Sequence, residues 1–101
     1  MYYTYMLRCK DDSIYTGITT DLERRMDEHF TQGEKCAKYT KRHKAKKLEA
    51  VWSSDDRKLA SKLEYQIKHL AKSDKEAIIK NAEKINILSA KLDVKEYTRV
   101  K

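Results

Sequence analysis

Four side chains that can move a proton or grip a phosphate fall between positions 5 and 29: the phenols Tyr5 and Tyr15, the guanidinium of Arg25 and the imidazole of His29. Arginine is planar and permanently charged, and it presents paired donors to an oxyanion. A tyrosine titrates at about 10, so it takes up a proton at neutral pH only where nearby cations lower that value. A fifth group lies further on. Glu64 shares a helical face with Ala60, Leu63, Ile67 and Ala71, and Leu59 and Leu70 widen that face. A carboxylate in such company costs free energy unless it is paired or binds a cation. Most glutamates beside an apolar stripe reach solvent instead, and helix geometry alone favours that outcome. The four early groups suit proton transfer beside an oxyanion, and helix geometry alone leaves Glu64 outside that set.

Gathering these groups requires a hairpin and a helix. Tyr2 to Cys9 and Ser13 to Thr19 are rich in aromatic and branched residues, and the polar link Lys10-Asp11-Asp12-Ser13 suits a hairpin between them. Strand alternation puts Tyr3, Tyr5 and Leu7 on one face and Met6 on the other. Tyr15 and Gly17 share a face, and a glycine there admits close approach of another backbone or a ligand. Thr20 and Glu23 have the spacing of a capping box. The helix they open has Leu22, Met26 and Phe30 as its apolar stripe, with Arg25 and His29 along one edge, facing the sheet's rim.

The stretch 31–46 that follows is predicted to be irregular and is the most basic part of the chain. Phosphate-backbone contact needs positive charge and little geometry, which makes Lys38, Tyr39, Thr40, Lys41, Arg42, Lys44 and Lys46 the candidate nucleic-acid surface. Tyr39 either stacks on a base or packs back on the core.

Leu48 to Ser53 reads as a third strand anchored by Trp52, and Ser54-Asp55-Asp56 opens a helix running to about Ala71. Ser73-Asp74-Lys75-Glu76 repeats the capping-box pattern and opens a short helix through Asn81. Residues 82–101 hold Ile85, Ile87, Leu88, Leu92 and Val94 without a constant period, so they form a C-terminal extension beyond a domain at 1–81. The fold class is α+β: a small, three-stranded, mainly antiparallel sheet flanked by helices.

With 101 residues the chain is one domain, large enough for a core without staples. Basic residues outnumber acidic ones 23 to 16, a net charge of +7 that favours a polyanionic partner over a membrane. Charge alone fits a solvated basic surface equally well. Cys9 and Cys36 lack metal-type pairing, and reduced thiols in a cytoplasmic chain are the default. No stretch approaches a signal peptide or a membrane span. With no proline and only two glycines there is no flexible linker.

Tyr3-Thr4-Tyr5, Tyr15-Thr16-Gly17, Arg25 and His29 together resemble the GIY-YIG nuclease domain. Lys38-Tyr39-Thr40 and the later helix with Glu64 are similar to the small stand-alone bacterial YhbQ-like group, so the resemblance covers about residues 1–80. Tyr3 and Thr4 stand where the family's name has Gly and Ile, and Thr16 replaces Ile, but both phenols are kept. The late asparagine of some members has no counterpart.

The resemblance implies a metal-dependent endonuclease acting on DNA, in repair or recombination. Tyr5 is then the general base, Tyr15 its hydrogen-bonding neighbour, and Arg25 the phosphate grip. His29 orients the water or a phenol, or shares the base role. Glu64 holds Mg²⁺ or Mn²⁺, and the resemblance leaves room for a protein partner that supplies specificity. The rival readings are a non-catalytic nucleic-acid-binding module and a partner-docking domain of the same fold. Oligomeric state is not legible.

Overall fold

The computed structural model describes all 101 residues, Met1–Lys101. Strand β1 (Tyr2–Cys9) turns through the Asp11-Asp12 link, where Asp12 has a positive φ of 70°, into β2 (Ile14–Thr19). Helix α1 (Leu22–Thr31) and a short α2 (Lys38–Arg42) follow, then β3 (Ala45–Ser54), α3 (Arg57–Lys68) and α4 (Lys72–Lys80). A 3-10 helix over Ala82–Leu88, a second over Val94–Glu96 and a two-residue strand, β4 (Thr98–Arg99), complete the chain. The sheet is antiparallel throughout, in the order β2-β1-β3-β4.

Central strand β1 is covered on both faces, so Thr4 to Leu7 are all buried. Its even positions face one core: Met6 packs with Ala50 and Trp52 of β3, Leu63 and Ile67 of α3, and Ile78 of α4. Its odd positions face the other: Tyr5 and Leu7 pack with Val51, and Tyr15, Leu22 and Met26 close over them. The period of two in the sequence thus sorts side chains between two cores.

Several predicted details change. The sheet has four strands rather than three, because β4 is too short to leave a periodic signal. Asp21, not Thr20, caps α1: its carboxylate accepts the Arg24 N–H at 3.1 Å, while Thr19 Oγ1 brackets the same residue. Phe30 is exposed, and the inward stripe of α1 runs Leu22, Met26, His29, of which only His29 is fully buried. The stretch 31–46 contains α2 and the start of β3 at Ala45 instead of a loop. Five residues do not hold a helix in isolation, and α2 depends on its tertiary contacts. Helix α3 stops at Lys68, and α4 begins after Ala71 with no side-chain cap. Glu76, expected to close a capping box, is committed to Arg8.

The extension is part of the packed structure. Leu88 and Tyr97 join the even-side core. Tyr97 Oη donates to the Leu59 carbonyl at 2.6 Å, and Arg99 donates to the Ile78 and Ile79 carbonyls at 2.9 and 3.0 Å, capping α4 while lying over the Trp52 ring.

Arg8 is the main charged tie. With its side chain only 12% exposed, it bonds Glu49 of β3 and Glu76 of α4 and also reaches Asp12. Removing one partner of an enclosed ion network strands the other charges. Arg8→Ala should therefore lower the unfolding free energy by about 2–4 kcal/mol in urea denaturation at neutral pH. A change within about 0.5 kcal/mol, as at an ordinary surface position, would remove Arg8 from this role.

Candidate active site

The register of the hairpin sets Tyr5 opposite Gly17. A Cβ at position 17 would lie 2.5 Å from Tyr5 Oη and 3.0 Å from the Tyr15 ring. The glycine therefore admits a phenol of the chain itself rather than a ligand. Across that gap, α1 lowers His29 into the odd-side core, and both Tyr5 and His29 are fully buried.

Tyr5 Oη and His29 Nε2 are 2.7 Å apart, and His29 Nδ1 is 2.8 Å from Thr40 Oγ1. The Thr40 hydroxyl donates onward to the Ala37 carbonyl at 3.1 Å. With that hydrogen committed, Thr40 Oγ1 accepts from Nδ1–H, which leaves Nε2 free to accept the Tyr5 hydroxyl hydrogen. A directed chain runs from phenol to imidazole to hydroxyl to carbonyl.

The electrostatics agree with that direction. Burial holds the Tyr5 phenol above its ordinary range, the neighbouring Tyr15 adds to the shift, and the Arg25 guanidinium opposes it. The expectation that cations would pull Tyr5 down is thus corrected for the free protein, because desolvation outweighs Arg25. Burial, with the Arg25 charge beside it, lowers His29 to about 4. At neutral pH the imidazole is uncharged, and its Nε2 accepts the hydrogen bond of the Tyr5 hydroxyl.

Tyr15 is half-buried and forms the hub of an aromatic cluster. Its ring lies 5.4 Å from His29, 6.2 Å from Tyr5 and 5.4 Å from Tyr39. From α3, Lys68 Nζ approaches to 5.8 Å and pairs with Glu64 at 3.5 Å. Glu64 is neither sealed in the core nor free, with a side chain 24% exposed. Arg25 is held by Glu28 at 2.8 Å and the Lys35 carbonyl at 2.7 Å. It opens on a depression shared with Thr19, Arg24 and Arg57.

On α2 and just after it, Lys38, Lys41, Arg42, Lys44 and Lys46 are exposed and none is ion-paired. Thr40 is different. Expected among the nucleic-acid contacts, it is fully buried, and its hydroxyl serves the imidazole instead. A signal existed: Cys36 and Thr40, four apart, are neutral positions within a basic run, and both are buried. Tyr39 packs on Tyr15 and stacks on His43 at 4.3 Å, and His43 is bonded to Asp11 of the hairpin turn.

A family model described as the GIY-YIG catalytic domain matches residues 1–77. The chain belongs to the GIY-YIG family. Its relatives include the UPF0213 protein FN1575 of Fusobacterium nucleatum, 51% identical over 77% of this chain and 76% of the relative. The UPF0213 protein VC_A0739 of Vibrio cholerae is 42% identical over 86% of this chain and 85% of its own length. A solution NMR structure of the UPF0213 protein BH0048 from Bacillus halodurans superposes with a TM-score of 0.51 at 35% identity, over 88% of this chain and 98% of that one. The five candidate site residues, Tyr5, Tyr15, Arg25, His29 and Glu64, all lie within the matched range. No helix is long and apolar enough to cross a membrane.

The donors available to a metal are sparse. No three His, Cys, Asp or Glu side chains cluster. A single partly exposed carboxylate would fit a weakly held, water-rich divalent cation and does not fit a preformed protein cage.

The buried neutral imidazole makes stability depend on pH. An unfolded His29 protonates at about 6.5, whereas the folded one does so only at about 4. Between these values the unfolded chain binds the extra proton, so stability is lost as pH falls. Lowering the pH from about 6.5 to 4.5 should cost the wild type on the order of 1–3 kcal/mol through this group. Urea titrations of wild type and His29→Gln across that interval check it: the variant's dependence should be shallower, and equal slopes would contradict the assignment.

Proposed function

We propose that the chain is a metal-dependent endonuclease that hydrolyses phosphodiester bonds in DNA, a cytoplasmic enzyme of the repair or recombination type. The observation that carries this reading is the buried chain from Tyr5 through His29 to Thr40 of α2, the helix that carries the exposed, unpaired cations Lys38, Lys41 and Arg42. A binding module needs the lysines. It has no use for an enclosed phenol aimed at a neutral imidazole, which costs desolvation.

In this reading Arg25 and the exposed cations of α2 hold the phosphate backbone, and Arg25 grips an oxygen of the scissile group. Tyr5 is the general base. Burial disfavours both a lone phenolate and an imidazolium at this pair, so Tyr5 would have to reach its phenolate under the Arg25 charge and a bound cation before Oη takes a proton from water. Thr40 keeps the Nδ1 proton in place, and Gly17 leaves room for the hydroxyl. Glu64 is the residue that would hold Mg²⁺ or Mn²⁺, which when bound neutralises charge building on the phosphoryl oxygens. Specificity in this reading comes from substrate shape or from a protein partner.

A second reading of the base is favoured by one fact: Tyr5 is fully enclosed, whereas Tyr15 is half-exposed. Tyr15 would then meet the water, and the Tyr5–His29 pair would orient it.

Single-turnover nicking of plasmid DNA with Mg²⁺ tests the proposal. Glu64→Gln should abolish cleavage and leave binding nearly intact, since the amide keeps the shape and loses the charge that holds a cation. Undiminished nicking would take Glu64 out of the site. Tyr5→Phe should lose rate by roughly 10²–10⁴, and Tyr15→Phe by less. The reverse ranking gives the base role to Tyr15. Near-wild-type rates for both would sink the phenol mechanism.

A further inference from the structure

Helix α3 carries a second surface beside the groove. Lys58, Lys62, Tyr65 and His69 follow at spacings of four, three and four residues, which aligns them as one stripe along its solvent side. Tyr65 is 59% exposed, an unusual setting for so large a ring. It is also held in place. Its centroid lies 4.1 Å from that of His69, whose Nδ1–H donates to the Tyr65 carbonyl at 2.7 Å. One side of the phenol ring is therefore backed by an imidazole while the rest faces solvent.

The surroundings are cationic. Lys58, Lys62 and, from the extension, Lys91 line a shallow groove with Tyr65, and no carboxylate lines it. None of the three lysines forms an ion pair. The stripe also adjoins the proposed catalytic groove. Tyr65 follows Glu64 directly, and Lys68 stands between the stripe and the Tyr15 ring. Tyr15 in turn touches Tyr39 of α2. Two basic surfaces thus flank one centre, and only the α3 surface leaves an aromatic face open.

We propose that this stripe binds the unpaired bases of a single-stranded segment lying beside the scissile phosphate. The proposal rests on the nuclease reading for the path of the strand. Its chemistry is that of stacking platforms, where an aromatic ring takes one base and lysines track the phosphates. A duplex has no use for the ring, because its bases are already stacked and paired and its backbone asks only for charge.

Fluorescence anisotropy on the full chain without divalent ion tests it, with three probes: a short oligothymidylate, an abasic oligonucleotide of the same length and a blunt duplex. The abasic strand reports phosphate contact alone. Tyr65→Ala should weaken oligothymidylate binding about tenfold, the size of one lost base–aromatic stack, and leave the other two probes near wild type. Tyr65→Trp should show emission quenched by oligothymidylate and not by the abasic strand, measured against the buried Trp52 background of the wild type. Replacing Lys41, Arg42, Lys44 and Lys46 together by Ala should instead weaken all three probes. If Tyr65→Ala binds every probe as wild type does, or loses equally on all three, the stripe is a solvated face and the proposal falls. Because binding alone is read, failure of the protein to cut any DNA would sink the nuclease reading and leave this result standing.

Discussion

The hydrogen bond between Tyr5 and His29, 2.7 Å long and closed off from water, is the interaction to which the other parts of the site answer. A phenol and an imidazole have desolvation costs when buried, and each is tolerable here because the other satisfies it. The bond joins the middle of the sheet to the buried side of α1. It requires a residue without a side chain at position 17, where a methyl group would strike the Tyr5 hydroxyl. It also requires Thr40 on the far side of the ring, which gives the five-residue α2 a reason to persist.

That last dependence links chemistry to surface. Helix α2 presents its lysines and Arg42 to solvent and turns one hydroxyl inward to the imidazole. Gln32, at the left-handed end of α1, donates to the Thr40 carbonyl at 3.0 Å, and His43 is bonded to the hairpin turn through Asp11. The basic rim is therefore positioned by the same contacts that orient His29. Displacement of α2 would alter both the charge available to a polyanion and the proton chain behind it.

A second set of ties serves the fold rather than the groove. Arg8 gathers Glu49 and Glu76 from two elements distant in sequence, and Arg99 caps α4 while covering Trp52. Both charges sit at the rim of the even-side core, where alternative partners are few. The family match ends at residue 77, yet Leu88 and Tyr97 complete this core. The extension is thus structural here, and it also contributes Lys91 to the surface on α3.

Much of this was determined by the sequence alone, wherever the cause is local or periodic. Alternation along Tyr2–Cys9 separates Tyr5 from Met6 because a pleat has a period of two. The Asp11-Asp12 turn, the helical face of α3 and the spacing of the phenols, Arg25 and His29 were readable for the same kind of reason. Other features depended on partners far away in the chain. Phe30 fits an apolar stripe better than His29 does, but the imidazole is the residue buried, since Tyr5 and Thr40 satisfy both of its nitrogens. Glu76 has capping-box spacing, but Arg8, sixty-eight residues away, takes its carboxylate. The direction of the Tyr5 shift was also a tertiary matter. Nearby cations are visible in a sequence, whereas the desolvation that outweighs them exists only once both faces of the sheet are covered.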